Sequence, residues 1–357
     1  ILGRGLAVYP KPLHFLQETA TIDIPVTIRK HRGKGRTMQQ LFIINPAAGK
    51  TDASVVLVPQ IQAAAARAGV DVQIEVTRSR GHARQLAEAA AASGEEVHIY
   101  AAGGDGTMNE VLQGAANHPN IAVGCIPCGS GNDYVRNFGA PADFLDMDAQ
   151  LAAEAFPVDL LATPQGYGID IYAAGIDAQV ANGIPKWRRI PLCGGTTAYT
   201  LSILEAVCSS FRHHLHIQAD DRELDGVYMM LAICNARMYG GGYCAAPNAS
   251  LDDGLLDVVL LKPVPRLKLP GLLGGYKKGE HLTPDGTVTE KFRPYLTYFR
   301  TSAIDIRVLD PKPMITTLDG ECSPQKTLHA ETARRSARIL LPPKLAYNAP
   351  VLQVMGE

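Results

Sequence analysis

The segment VHIYAAGGDGTMNEVLQG, residues 97–114, leaves this chain few folds to choose from. Val97, Ile99, Ala101 and Ala102 read as a short buried strand that runs into Gly103-Gly104-Asp105-Gly106-Thr107 and then a helix opening near Met108 or Asn109. A strand delivered through a glycine turn to a helix N-terminus is a phosphate-binding geometry. Glycine admits positive φ and close backbone approach, Thr107 is placed to cap the helix, and free N–H groups with the helix dipole attract an anion. Asp105 adds a condition, because a carboxylate beside an anion site repels phosphate unless a cation lies between them. The residues therefore point to a nucleotide phosphate with Mg²⁺. Taken alone, such a turn is more simply structural. A second glycine loop, Pro127-Cys128-Gly129-Ser130-Gly131-Asn132-Asp133 after the apolar run Ile121–Ile126, shifts that balance, since two loops at neighbouring strand ends can cradle one ligand.

Upstream, Gln40–Ile44 reads as a first buried strand that ends at Asn45-Pro46-Ala47-Ala48-Gly49-Lys50-Thr51. The Gly-Lys-Thr ending imitates a P-loop, but that motif requires glycine at position 44, which is Ile44. The small-residue loop with its lysine suits phosphate contact or an ordinary turn. A helix over 54–68, a strand over 70–76, Thr77 in a loop and a helix over 82–92 precede the organising strand, with a helix over 107–116 after it. Alternation of this kind builds a parallel sheet with ligands at the carboxyl ends of its strands, where Asn45, Thr77 and Gly104 stand.

From about Pro157 the character changes. Short apolar or alternating runs at 169–174, 215–218, 227–234, 255–261, 303–309 and 314–318 are separated by Gly, Pro and Asp turns, which predicts a mostly β second domain. Thr197–Phe211 is its amphipathic helix and Ala337–Leu341 its last strand. The expected division is an ATP-binding α/β domain over 38–156, a β-rich domain over 157–330, and a strand and tail over 331–357 that can return to the first domain. Residues 1–37 begin at Ile1, carry the basic cluster Arg29–Arg36 and stop at Met38, just before the first strand. They are read as a disordered or non-native extension, with Met38 as the true or an alternative start.

Composition excludes several functions. With 34 Lys and Arg against 35 Asp and Glu, and no long basic run, the chain lacks the face that nucleic acid requires. Seven cysteines suit reduced thiols in a cytoplasmic protein, and the Cys125/Cys128 pair has no second pair at zinc-ribbon spacing. No run of about 18 uncharged apolar residues exists to span a bilayer, so membrane contact is expected to be peripheral. Trp187 with Lys186, Arg188 and Arg189 suits a headgroup region, although a plain exposed loop is the simpler reading. His213, His214 and His216 have no acid at close sequence spacing and read as solvated or packed imidazoles.

NPAAGK, GGDGTMNE and IPCGSGNDYVRNFG, in that order and spacing, resemble the diacylglycerol kinase catalytic family. That family includes bacterial lipid kinases, sphingosine kinases and ceramide kinases. Its nucleotide domain is related to NAD kinase and phosphofructokinase. The likeness covers about 38–345 and extends to Asn235-Ala236-Arg237 with Gly240-Gly241-Gly242, to Ala246-Pro247-Asn248-Ala249 with Asp252-Asp253-Gly254-Leu255, and to Leu318-Asp319-Gly320-Glu321. The resemblance implies an NAD kinase-like α/β domain joined to a β sandwich.

It also implies that Asn45, Pro46, Gly49, Lys50, Thr77, Gly103, Gly104, Asp105, Gly106, Thr107, Asn109, Glu110, Gly129, Ser130 and Asn132 hold ATP, with Asp105 acting through magnesium. Glu321 is the implied proton acceptor, with Asp319 as its partner or a metal organiser. A structural Mg²⁺ is implied at Ser250, Asp253 and Leu255. Cys128-Gly129-Ser130 departs from the usual Leu-Gly-Thr or Gly-Gly-Thr, but Ser130 keeps the hydroxyl. Residues 322–335 form an atypical polar stretch after the implied base. The expected activity is phosphoryl transfer from ATP to diacylglycerol or a similar lipid alcohol. Gly240–Tyr243 is expected to line the acceptor cleft, and exposed strand edges make a homodimer compatible with the fold. A soluble acceptor such as NAD, and a catalytically silent nucleotide- or lipid-binding module, are the alternatives. The joint presence of Asp105 and the Asp319/Glu321 pair speaks against silence, because a pure binder needs no base.

Overall fold

The computed structural model describes residues 38–49, 51–190, 197, 200–202, 205 and 212–345. The 1–37 extension, the Met38 start and Lys50 therefore involve residues outside the described ones. Of the expected helix at Thr197–Phe211, only Thr197, Thr200, Leu201, Ser202 and Glu205 are described, and these are helical.

The first half alternates as its sequence predicts: β1 (Gln39–Ile44), α1 (Ala53–Ala68), β2 (Val72–Val76), α2 (His82–Ala92), β3 (Val97–Gly103), α3 (Asp105–Ala115) and β4 (Ile121–Pro127). The strands pair in parallel in the order β2-β1-β3-β4. Leu41–Ile44 of β1 and Ile121–Ile126 of β4 are continuous runs without a polar side chain, because helices cover both faces of the sheet. On one face Ile43, Ile99 and Val123 meet Leu86, Val111 and Leu112 of α2 and α3, and on the other Phe42, Ile44 and Tyr100 meet Leu57 and Ile61 of α1. α3 begins at Asp105, three residues before the expected Met108. Extended Gly104 is the cap residue, so Thr107 lies inside the first turn and does not cap it.

A short α4 (Met147–Leu151) leads to β5 (Glu154–Thr163), β6 (Gly166–Gly168), β7 (Ile171–Gly175) and α5 (Ile176–Arg188). After them come β8 (His213–Ala219), β9 (Arg222–Tyr228), β10 (Met230–Cys234), β11 (Met238–Tyr239), β12 (Tyr243–Cys244), β13 (Leu256–Leu261) and α6 (Leu269–Lys277). The last elements are β14 (Leu296–Thr301), β15 (Ala303–Val308), β16 (Met314–Leu318), β17 (Glu321–Gln325) and β18 (Thr327–Leu341). An antiparallel sheet of six strands, β14-β13-β10-β7-β16-β17, packs against β18-β15-β8-β9. Their shared core includes Tyr172, Leu215, Ile233, Leu260, Ile306 and Leu328. α5 and α6 cover the outer face of the six-stranded sheet through Ile176, Leu269 and Leu272.

Two expectations change here. The run 227–234 is two strands in different sheets, β9 and β10. The last strand, expected at Ala337–Leu341, begins already at Thr327, so the polar stretch 322–335 holds most of β17 and the first part of β18. β18 carries a bulge between Ala333 and Ala337. Before the bulge it pairs with β15, and after it Ile339 pairs with Val123 of β4, so one strand belongs to both halves of the molecule.

Candidate active site

The loops after β1, β2, β3 and β4 open on one side into a cleft of about 1440 Å³. Asn45, Pro46, Gly49, Thr77, Gly104, Asp105, Gly106, Thr107, Asn109, Glu110, Gly129 and Ser130 all line it. Their backbone is stitched strand to strand. Asn45 N donates to Ala102 O at 2.8 Å, Thr77 N to Ile44 O at 2.8 Å and Cys128 N to Gly103 O at 2.7 Å. The Asn45 amide donates to Thr107 Oγ1 at 3.0 Å, joining the first loop to the start of α3. The two glycine loops touch: a Cβ on Gly129 would fall 2.6 Å from Gly104 Cα. Gly103 and Asn132 do not line the cleft. Gly103 leaves room for the Thr107 side chain, and Asn132, at φ 54°, closes the second loop by bonding both N and O of Gly129.

Asp105 lies in the first turn of α3, where the dipole favours its charge. Its Oδ1 accepts from Tyr134 N at 3.2 Å. Burial raises its pKa, while N–H groups of residues 132–134 oppose the rise. Behind it, buried Asp133 accepts from Gly241 N at 2.7 Å and Gly242 N at 2.8 Å. Burial and then Asp105 push the Asp133 carboxyl up to about 6. This contact gives the triple glycine its purpose: Gly240–Gly242 take positive φ to present N–H groups to Asp133, and they do not line the cleft as expected. Asp170, raised well above the carboxylate range by burial and by Asp319, Asp105 and Asp133, has a buried Oδ1 without a hydrogen-bond partner. Sequence reasoning did not single it out.

The opposite wall is the turn between β16 and β17, with Tyr172 of β7 beside it. Asp319 takes the left-handed conformation, φ 46°, and aims its carboxyl inward. Oδ2 accepts from Ile169 N at 2.7 Å and Asn109 Nδ2 at 2.9 Å, and Oδ1 from Asp170 N at 3.1 Å and Ile171 N at 2.9 Å. Four donors engage the lone pairs that a base would offer, so Asp319 is built as a clamp between α3, β7 and the turn. Glu321 is different. It is exposed at the cleft and forms an ion pair with Arg80, from the loop between β2 and α2. Glu110 helps to place that loop, accepting from Gly81 N at 2.8 Å.

Among the cleft residues, Asp105, whose carboxyl stands between the two glycine loops, is the group that would hold a hard cation beside a nucleotide. At the expected structural magnesium set, protein groups engage the Asp253 carboxylate. Asp253 pairs through Oδ2 with Arg300 and accepts at Oδ1 from Leu255 N at 3.0 Å, while Ser250 Oγ donates to Asp252 at 2.7 Å. The guanidinium supplies the positive charge there. Trp187, in helix α5 and not a loop, donates its indole N–H to Glu205 at 2.9 Å, and Lys186 pairs with the same carboxylate. Strand pairing also brings His216 the acids its sequence spacing lacks, Asp225 at 3.0 Å and Glu223 at 3.9 Å. Cys125 and Cys128 are free thiols.

Residues 39–162 match the diacylglycerol kinase catalytic domain, and residues 170–341 match the YegS C-terminal NAD kinase beta sandwich-like domain. A protein of Pseudomonas aeruginosa (strain UCBPP-PA14) named "Probable lipid kinase YegS-like" is 30% identical over 285 residues, 78% of this chain and 88% of that protein. A diacylglycerol kinase of Bacillus subtilis (strain 168) is 28% identical over 260 residues, 71% of this chain and 80% of its own length. The crystal structure of a diacylglycerol kinase from Bacillus anthracis str. Sterne shares the fold, with a TM-score of 0.63 at 18% identity, covering 88% of this chain and 100% of that one. The glycine-loop cleft and the sandwich turn that faces it thus belong to a known pairing of domains, and the chain is a member of the lipid kinase family built on the diacylglycerol kinase catalytic domain.

Proposed function

We propose that this chain transfers the γ-phosphoryl group of ATP to the hydroxyl of diacylglycerol or a similar lipid alcohol, giving phosphatidic acid or its analogue. The carrying observation is that glycine loops from one half and the Glu321 carboxylate from the other face a single cleft. In this reading the backbone N–H groups at Gly104–Thr107 and Gly129–Ser130 hold the phosphates, with Asn45, Thr77 and Lys50 completing the nucleotide contacts. Asp105 would hold Mg²⁺, which would neutralise phosphate charge. The acceptor oxygen forms its bond to the γ-phosphorus as the bond to the ADP oxygen breaks, and ADP leaves with that electron pair. The acceptor proton passes to Glu321, whose exposed carboxylate lacks the four donors that occupy Asp319.

Residues 38–156 carry the nucleotide in this scheme and 157–330 the acceptor. No helix among the described residues is long and apolar enough to cross a membrane; a lipid acceptor resides in a bilayer, and the chain is read as meeting it at the membrane surface. The test is transfer of labelled γ-phosphate to diacylglycerol, sphingosine, ceramide, polyprenol and NAD in mixed micelles. Label in diacylglycerol is expected. Label in NAD alone would refute the lipid assignment, and label in another lipid would correct the acceptor.

A further inference from the structure

The Arg80–Glu321 ion pair links the two walls of the cleft, as the half-buried Asn109–Asp319 bond does, but between exposed side chains. Both side chains are largely exposed, at 77% and 70%, so each is free to change partner. The Arg80 backbone is not free. Thr77 N bonds to Ile44 O, His82 N to Ser79 O at 3.2 Å and Gly81 N to Glu110, which fixes the root of the side chain beside the phosphate-binding loops. Arg84, which also lines the cleft, is held instead by Glu88 on its own helix at 2.7 Å. The Arg80 guanidinium is thus a mobile cation on a fixed base, and Glu321 raises its pKa further.

We propose that Arg80 is a nucleotide-operated latch: it holds Glu321 while the cleft is empty of nucleotide and transfers to a phosphate oxygen when ATP enters, releasing the Glu321 carboxylate to the acceptor. This rests on the reading that the cleft binds ATP. The exchange is favourable because a triphosphate carries more negative charge than one carboxylate and can accept a guanidinium through two parallel N–H···O bonds. Its consequence is an order of events. The guanidinium occupies the carboxylate until the phosphoryl donor is present, so nucleotide binding precedes deprotonation of the acceptor.

The latch makes an unusual prediction about affinity: removing the proposed base should tighten nucleotide binding. Binding of a non-hydrolysable ATP analogue with Mg²⁺ is measured calorimetrically for the wild type, Glu321→Gln, Arg80→Ala and the double variant. Glu321→Gln is expected to lower Kd about two- to fivefold, since an exposed ion pair is worth up to about 1 kcal/mol, a factor of about five. Arg80→Ala is expected to raise Kd roughly tenfold or more, as loss of a charge-assisted phosphate contact does. The double variant should match Arg80→Ala, because the gain from Glu321→Gln acts only through a released Arg80. Unchanged or weaker binding by Glu321→Gln overturns the latch. So does an equal tightening in the Arg80→Ala background, which would mean simple repulsion between Glu321 and phosphate. A folded wild type that binds no analogue refutes the ATP reading itself, a result distinct from either.

Discussion

Replacing Asp319 with Asn separates a clamp from a catalytic carboxylate. Asparagine tolerates the left-handed backbone at φ 46°, so the change acts through the side-chain oxygens. Asp319 accepts four bonds, from Ile169 N, Asn109 Nδ2, Asp170 N and Ile171 N, and the amide retains one acceptor atom for two of them. If its NH₂ faces Asp170 and Ile171, two backbone donors are orphaned. If it faces Asn109 and Ile169, Asn109 must turn over, giving up its 3.3 Å bond from Gln113 Nε2, and Ile169 N is still orphaned. An orphaned buried donor costs about 1–3 kcal/mol, and the bonds that remain lose their charge assistance. Burial raises the pKa of this carboxyl, so a neutral side chain recovers part of that loss. The expected net destabilisation is about 2 kcal/mol, a fall in Tm of roughly 4–8 °C at about 2–4 °C per kcal/mol for a domain of this size. Thermal melts by circular dichroism, paired with kcat per folded molecule, read both roles. A variant that melts with the wild type yet loses turnover a hundredfold or more would place Asp319 in the chemistry and refute the clamp.

Other outcomes follow from the same geometry. Glu321→Gln should lower kcat about 10²- to 10⁴-fold, as loss of a general base does; turnover at the wild-type rate would show that another group takes the proton. Asp105→Ala should abolish turnover with the fold retained, and full activity in phosphate-transfer assays would remove Asp105 from the site. Gly129→Ala drives a Cβ to 2.6 Å from Gly104 Cα, a backbone atom that cannot yield cheaply, so stability should fall by about 1–3 kcal/mol and the KM for ATP should rise tenfold or more. An unchanged KM would mean that the two loops do not share a ligand.

Asp177 carries the pH prediction. Burial pushes its carboxyl up to about 7, Oδ1 accepts from the Tyr239 hydroxyl at 2.8 Å, and Oδ2 is buried without a partner. The folded state therefore binds the proton more tightly than the unfolded state, and stability is lost as pH rises from about 4 through about 7. The loss is at most about 4 kcal/mol at 1.36 kcal/mol per pH unit. Asp177→Asn should flatten that slope and raise stability at pH 8, and melts that keep the wild-type pH profile would refute this.

The parallel sheet was legible because Phe42–Ile44, Ile99–Ala102 and Ala122–Ile126 are apolar runs that end at glycine or proline loops, a pattern that burial on both faces demands. The β half was less so. α6 reads LPGLLGGYK, whose three glycines and proline hide a helix held by tertiary packing of Leu269, Leu272 and Tyr276. β17 and the start of β18 are half-exposed and polar, so they carry no apolar signal. In the site, the glycine loops announced themselves by composition. The clamp at Asp319 did not, because its donors lie 148–150 residues away along the chain in the backbone of β7 and just before it, and at Asn109. Arg80 and Tyr172 belong to no motif: the loop after β2 carries the first to the cleft, and only the closing of the second half on the first brings Tyr172 there.

β18 gives the molecule a timetable. The strand that lies beside β4 is the last described strand to be made, so during synthesis β4 presents an unpaired edge until the chain has been extended through residue 341. The apolar residues Ile339 and Leu341 that β18 adds to the core around α2 and α3 arrive at the same moment. A nascent chain stalled within the sandwich would expose that edge to any passing strand, and completion of both halves becomes a single late event at the ribosome exit.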